Sequence, residues 1–143
     1  MFSDLLGTLM ELLAQEQSVL GPVYAGYDGM RAGDKAKPAC VLLPGDVKLG
    51  SAVPDGGTGV MPFEAHFALV LLDAMDTPGS VLQDRLLDTA LPAVRRAGAQ
   101  LFSAACPLPK ADPLLGRLTL RGEFVIRGVY AFGEETEEVT AWH

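Results

Sequence analysis

The 143-residue sequence is poor in the residues from which most recognisable active sites are built. It has one tryptophan, two cysteines, Cys40 and Cys106, and two histidines, His66 and His143. The cysteines lie far apart without CxxC spacing, so one disulfide is possible, but a pair of buried free thiols is the favoured interpretation. One internal histidine indicates neither a metal cluster, which needs three or four convergent ligands, nor a catalytic triad.

Positive charge and long apolar runs are also scarce. Eleven Lys and Arg against eighteen Asp and Glu give a net charge of −7, which argues against binding nucleic acid or an anionic membrane through a basic surface. No run of about 18 apolar residues occurs, so we expect no membrane span. The amino-terminal segment carries acids among its leucines and lacks a basic n-region, so we expect a cytoplasmic product without a secretory signal.

What the chain does have is an ordinary globular composition, 49% hydrophobic and 20% charged. We expect a single domain, 1–143, with a real core. Apolar residues at i, i+3, i+4 and i+7 predict a first helix that ends before Gly21. A second helix is predicted to begin near Ser80, which with Gln83 fits a capping box, and to kink or end at Pro92.

Period-two alternation of apolar residues predicts the strands. Candidates cover residues 23–27, 38–43 and 63–74, and the Pro-Gly-Asp at 44–46 is expected to end the second of them. The longest candidate is Arg117–Phe132, which would reach roughly 50 Å if straight, against a diameter of roughly 37 Å for a compact chain of this length. It must therefore bend, break into a hairpin, or extend beyond its own domain.

Two polar segments are expected at the surface. Residues 53–62 are predicted to form an exposed glycine-rich loop or a hairpin tip, ordered on contact with a partner. Its PDGGTG lacks the Lys-Ser/Thr and the following helix of a phosphate-binding loop. Residues 133–143 form an acidic tail, whose acids lack the alternate spacing of a calcium-binding loop. Two interpretations of the tail remain, a solvated acidic face and a surface that repels other anions.

Three arginines fall on one face of the longest strand. They either form a solvent face paired with acids across the sheet, or meet the acidic surface of an identical subunit, as in a head-to-tail ring. On another strand, His66 has Glu64 as its same-face neighbour, and the two are expected to form a hydrogen-bonded pair. The candidate interface residues are Asp55, Gly56, Gly57, Thr58, Gly59, Arg117, Arg121 and Arg127.

The size and order of these elements resemble the tail terminator proteins of long-tailed bacteriophages, including the lambda-type ones. The likeness covers nearly the whole chain, through FSDLLGTLMELLAQE, PACVLLPGDVKL, PFEAHFALVLLDA, GSVLQDRLLDTALPAVRRA and GRLTLRGEFVIRGVYAF. It implies an α/β fold of the α+β type, in which a mixed, mainly antiparallel sheet carries two principal helices on one face.

The resemblance also implies a role in the virion. A hexameric ring would cap the tail tube, stop its polymerisation and provide the surface to which the DNA-filled head docks. Partners would be further copies of the chain, the tail tube protein and a head-completion or neck protein, with DNA passing through the lumen without specific binding. The family implies neither enzymatic activity nor a cofactor.

Other functions stay open at this point. One is a neck, head-completion or tail-tube protein of a similar particle, and another is an adaptor of a bacterial contractile system. A third, of a different class, is a small-molecule-binding or catalytic α/β domain whose site includes His66, Glu64 and Asp73. A structural protein should assemble normally as a His66→Ala variant, whereas such an enzyme should lose its function.

Overall fold

A computed structural model describes residues 2–27, 37–50, 53–55, 58–98, 100–132 and 137–139. Its helices are α1 (Phe2–Ala14), α2 (Gln17–Leu20), α3 (Gly79–Arg85) and α4 (Leu91–Arg95), with a π-helical turn (Leu86–Ala90) joining the last two. Its strands are β1 (Val23–Ala25), β2 (Ala39–Leu49), β3 (Val53–Asp55), β4 (Thr58–Asp73), β5 (Gln100–Ala105), β6 (Lys110–Asp112), β7 (Arg117–Phe132) and β8 (Glu137–Val139).

These strands belong to one sheet. The main order is β1-β2-β4-β7-β5, and three short strands flank the long ones, β3 beside β4 and both β6 and β8 beside β7. β1 runs parallel to β2, and the other described pairs are antiparallel. The predicted α+β class with a mixed, mainly antiparallel sheet is therefore confirmed.

The core lies between one face of this sheet and the helices. Alternate side chains of β4 and β7 point to the helices, and among them Phe67 and Phe124 stack with ring centroids 5.2 Å apart. The buried stripe of α1 is Leu5, Leu9 and Leu13. Each such leucine stabilises the fold by about 1.5–3 kcal/mol on burial. The prediction that the helices cover one face is confirmed.

The second principal helix begins without the predicted capping box and continues past Pro92. Pro78 is its N-cap residue and has no polar side-chain group, so the predicted Ser80–Gln83 capping box is wrong. Pro92 does not end the helix, which continues to Arg95. A proline ring clashes with the carbonyl four residues earlier, and the wider π-helical turn directly before α4 relieves that contact.

β2 also continues where the sequence predicts a stop. It runs through Pro44-Gly45-Asp46 to Leu49, and a shift of register between Pro44 and Val47 absorbs the irregular residues as a bulge. Gly45 is needed there, because a Cβ atom would lie 2.9 Å from the backbone oxygen of His66. The described part of β1 pairs only with residues 40–42, so Pro44 sits where β2 has an open edge, a position that tolerates proline.

The longest predicted strand is confirmed as a single strand. β7 spans sixteen residues without a break, and it pairs with β4 from Gly59↔Phe132 to Asp73↔Leu118. β4 itself begins at Thr58, five residues before the predicted start. The sequence interpretation missed β5 and β6, the second of which lies in a proline-rich segment taken for a connector.

Both cysteines are free thiols, as favoured. Cys40 is fully buried, and burial raises its pKa to about 12. Cys106 is only half-buried, so the prediction of a buried thiol fails there. Within the described ranges, every helix is too short or too polar to cross a bilayer.

Candidate interaction site

The two longest strands pair with each other beyond the last residues described as buried in the core. Among the residues whose burial is described, the helix-facing core ends at Phe63 on β4 and Ile126 on β7, while the β4–β7 ladder continues to Gly59↔Phe132. At this end β3 becomes the neighbour of β4, and β8 the neighbour of β7. We call residues 53–55, 58–62, 128–132 and 137–139 the β-arm.

Apolar side chains are exposed where the β-arm leaves the core. Leu49 is 54% exposed, and Val47 and Val129 are also exposed. Next to them is a shallow depression of about 400 Å³, lined by Lys48, Leu49, Gly50, Pro62, Phe63, Glu64, Arg127 and Gly128. Apolar surface beside strand edges is where a second chain commonly binds. The β-arm and its base therefore form the candidate interaction site.

The predicted glycine-rich loop lies at the end of the β-arm. Asp55 pairs with Thr58, and Gly59 pairs with Pro54, which makes the segment a hairpin. The hairpin-tip interpretation is confirmed, and the interpretation of all of 53–62 as loop is wrong because 58–62 belong to β4. Gly56 and Gly57 lie outside the described residues.

The predicted acidic tail is partly a strand. Its residues Glu137–Val139 pair with the end of β7 and form the outer strand of the β-arm. The remaining positions, 133–136 and 140–143, lie outside the described residues. The tail sequence has acids at 134, 135, 137 and 138, and a strand there lacks any strong signal in the sequence apart from Val139 and the neighbouring threonines.

Arg127 lies at the base of the β-arm, in a network on the face of the sheet opposite α1, α3 and α4. Its Nη2 donates to Oε1 of Glu64, the residue opposite it on β4, at 3.1 Å, and its guanidinium stacks 3.3 Å from the ring centroid of Phe102. His66 Nε2 donates to the other oxygen of Glu64 at 2.9 Å. The hydrogen bond from His66 and then those from Arg127 hold the pKa of Glu64 below its ordinary value.

This network explains His66 as half of a hydrogen-bonded pair, as predicted. Phe102 was missed, because its position depends on a bulge in β5 between Leu101 and Ser103 that no local pattern announces. Asp73, the third residue of the enzyme hypothesis, lies seven positions along β4, at a distance of about 23 Å. There it binds Arg85 and the backbone N–H of Ala74, so the structure does not bring the three residues together.

The three predicted interface arginines share a face but do not form a patch. Arg117 is 4% exposed and donates to the backbone oxygen of Lys37 at 3.1 Å, so its predicted place on a solvent face is wrong. Arg121 is exposed, and its Nε donates to Glu123 at 3.3 Å. It lies about 20 Å along β7 from Arg127. The alternation of residues along a strand determines on which face of the sheet a side chain lies. Whether that side chain is exposed depends on the segments that pack beside it.

In the part of the chain that the structure describes, no three His, Cys, Asp or Glu side chains are grouped to hold a metal ion. In comparisons with known proteins, no family model and no curated protein matches the chain. The fold and the candidate site define a structural class, an α+β fold whose two longest strands pair through the β-arm, and the function has to be inferred from that geometry.

Proposed function

We propose that this chain is a non-enzymatic structural protein that assembles into a ring through its β-arm, and that the ring is the terminator of a phage or phage-like tail. The β-arm is the observation that carries the proposal. Its ladder continues for four residue pairs beyond Phe63, the last residue of β4 described as buried on the helix side, from Pro62↔Val129 to Gly59↔Phe132. The short outer strands of such a ladder offer their edges to another chain, and a ring buries these edges between subunits.

The β-arm has the features of a subunit contact. β3 and β8 form its outer edges, and a strand edge presents backbone donors and acceptors to another chain. Exposed Leu49 and Val129 supply apolar area beside these edges. A projection that meets a different surface of the next copy makes a heterologous contact, which closes into a ring when the rotation per subunit permits.

Charge supports a place around DNA. The chain has a net charge of −7, and two described arginines on the sheet face opposite the helices are already paired with acids, Arg127 with Glu64 and Arg121 with Glu123. An acidic lumen lets DNA slide because like charges repel. The proposed partners are the tail tube protein on one side and a head-completion or neck protein on the other.

Light scattering coupled to size-exclusion chromatography tests the assembly. We expect the wild type to form a discrete oligomer, six copies of the 15.1 kDa chain for a hexamer. Leu49→Asp and Val129→Asp, which place a charge at the base of the β-arm, should reduce the mass toward the monomer. Leu87→Asp is the matched control, since Leu87 is an exposed leucine in the π-helical turn, away from the β-arm.

The possible results are distinguishable. A monomer at every concentration, or an oligomer that both β-arm variants leave intact, would contradict assembly through this surface. Particles of unlimited length would show a polymerising tube protein in place of a terminator. Loss of the oligomer in the Leu87→Asp control would place the contact on the helical layer.

A further inference from the structure

A cavity on the face of the sheet opposite the helices is independent of the β-arm. It has a volume of about 470 Å³ and lies far along β7 from the β-arm. This volume is in the range of pockets that hold small organic molecules, about 300–1,000 Å³. The residues on which its chemistry depends are Tyr27, Val70, Leu108, Lys110, Arg121 and Glu123.

The sequence explains why the sheet is open at this point. β6 pairs with residues 117–119 of β7, and β5 pairs with 123–127, so among the described strands residues 120–122 have no neighbour on that side. The connector between β5 and β6 contains Pro107 and Pro109, which have no backbone N–H to continue the ladder. It leaves the plane of the sheet and becomes one wall of the cavity.

The floor and walls are largely apolar. Val70 is 2% exposed and lies on β4, on the face of the sheet opposite the helices. Leu108 and Pro107 come from the connector, and Ala105 from the end of β5. Leu108 is 76% exposed, which places a large apolar side chain at the rim. An apolar body entering the cavity would remove this surface from water.

The polar groups at the cavity favour an anion. Among the described residues of the lining, Lys110 and Arg121 outnumber the one carboxylate, that of Glu123, in a chain whose net charge is −7. Arg121 uses Nε to bind Glu123, and a guanidinium has further N–H donors on its terminal nitrogens. Asp112 lies near the cavity, and its Oδ1 accepts hydrogen bonds from Leu114 and Leu115.

Tyr27 adds a neutral donor. Burial raises the pKa of its phenol, Arg121 opposes the change, and Asp112 adds to it. At neutral pH the hydroxyl therefore keeps its proton and can donate a hydrogen bond to an anionic group between Lys110 and Arg121.

We propose that this cavity binds a small organic anion with an apolar body, the anionic group held by Lys110, Arg121 and the Tyr27 hydroxyl and the body against Val70 and Leu108. The site does not depend on ring formation. It differs from the His66, Glu64 and Asp73 set, since none of those residues lines it.

The test uses anilinonaphthalene sulfonate, an apolar anion whose fluorescence rises in an apolar site, and phenylnaphthylamine, its uncharged analogue. We expect saturable binding of the sulfonate at one site per chain and weaker binding of the uncharged analogue. Arg121→Gln and Lys110→Gln should each weaken binding about tenfold, as expected for loss of one charge-assisted hydrogen bond. Ala105→Trp should block the cavity while keeping its charges.

Arg95→Gln, which changes an exposed arginine on α4, is the control and should bind the sulfonate like the wild type. Circular dichroism of each variant confirms that it is folded, and the substituted cavity positions 105, 110 and 121 are all exposed. Absent binding, equal affinity of both probes, or unchanged affinity in all three cavity variants would overturn the proposal.

Discussion

Gly122 lies within β7, at a point where Leu86 of the helix layer packs directly against the sheet. A Cβ atom built at this position would lie 2.6 Å and 2.9 Å from the two Cδ atoms of Leu86. Leu86 is 2% exposed and begins the π-helical turn, and the cavity beside it has a volume of only about 40 Å³. Gly122→Ala therefore forces the helix away from the sheet or Leu86 out of its packed rotamer.

The expected cost follows from two opposing terms. Overpacking of a closed core costs about 1–3 kcal/mol, whereas replacing a strand glycine by alanine returns about 0.5–1 kcal/mol of backbone entropy. We expect Gly122→Ala to lower the free energy of unfolding by about 1–2 kcal/mol. In a Leu86→Ala background the clash is removed, so the same change should there be neutral or stabilising.

Urea unfolding followed by circular dichroism at one protein concentration measures these four variants as a double-mutant cycle. Gly7→Ala is the control. Gly7 is exposed on α1, and a Cβ atom there has no neighbour among the described residues within 4 Å, so this change should stabilise the protein by about 0.5–1 kcal/mol. A Gly122→Ala variant as stable as the wild type, or equally destabilised in both backgrounds, would refute the proposed packing.

Three further predictions concern polar groups and thiols. Asp73→Ala should destabilise the fold by about 2–3 kcal/mol in urea unfolding, because it leaves the partly buried Arg85 without its carboxylate; an effect below about 0.5 kcal/mol would contradict this. A thiol reagent should label Cys106 in the native protein, but Cys40, with its pKa raised to about 12, only after unfolding; equal labelling rates would contradict the burial. The folded pKa of Glu64 is lowered, so its contribution to stability is present above its ordinary pKa and is lost as pH falls through the folded pKa. Glu64→Gln should therefore make the urea midpoint of unfolding less dependent on pH in the acid range. A variant whose midpoint depends on pH as strongly as that of the wild type would contradict this.

The elements with strong local patterns were predictable from the sequence. The leucine stripe of α1 and the alternation along β7 each repeat over many residues, and both elements have the predicted type. The Glu64–His66 pair was predictable because residues two apart on a strand share a face. The fold class was expected from the resemblance in the size and order of such elements, and it is confirmed.

What could not be predicted depends on residues distant in sequence. Pro44 lies inside a strand that it was expected to end, and Pro92 lies inside a helix that it was expected to kink or end. A bulge and a π-helical turn accommodate them. The burial of Arg117 requires residue 37 to lie beside it, eighty positions earlier in the chain. The cavity at Arg121 could not be predicted, because it depends on where β5 and β6 pair along β7.

In the proposed function, the β-arm joins copies of this chain into a closed ring. Negative-stain electron microscopy of the purified protein tests this most directly, with Leu49→Asp imaged beside the wild type. We predict annular particles of uniform diameter for the wild type and their loss in the variant. Dispersed single subunits in the wild type, or rings that persist unchanged in Leu49→Asp, would contradict it.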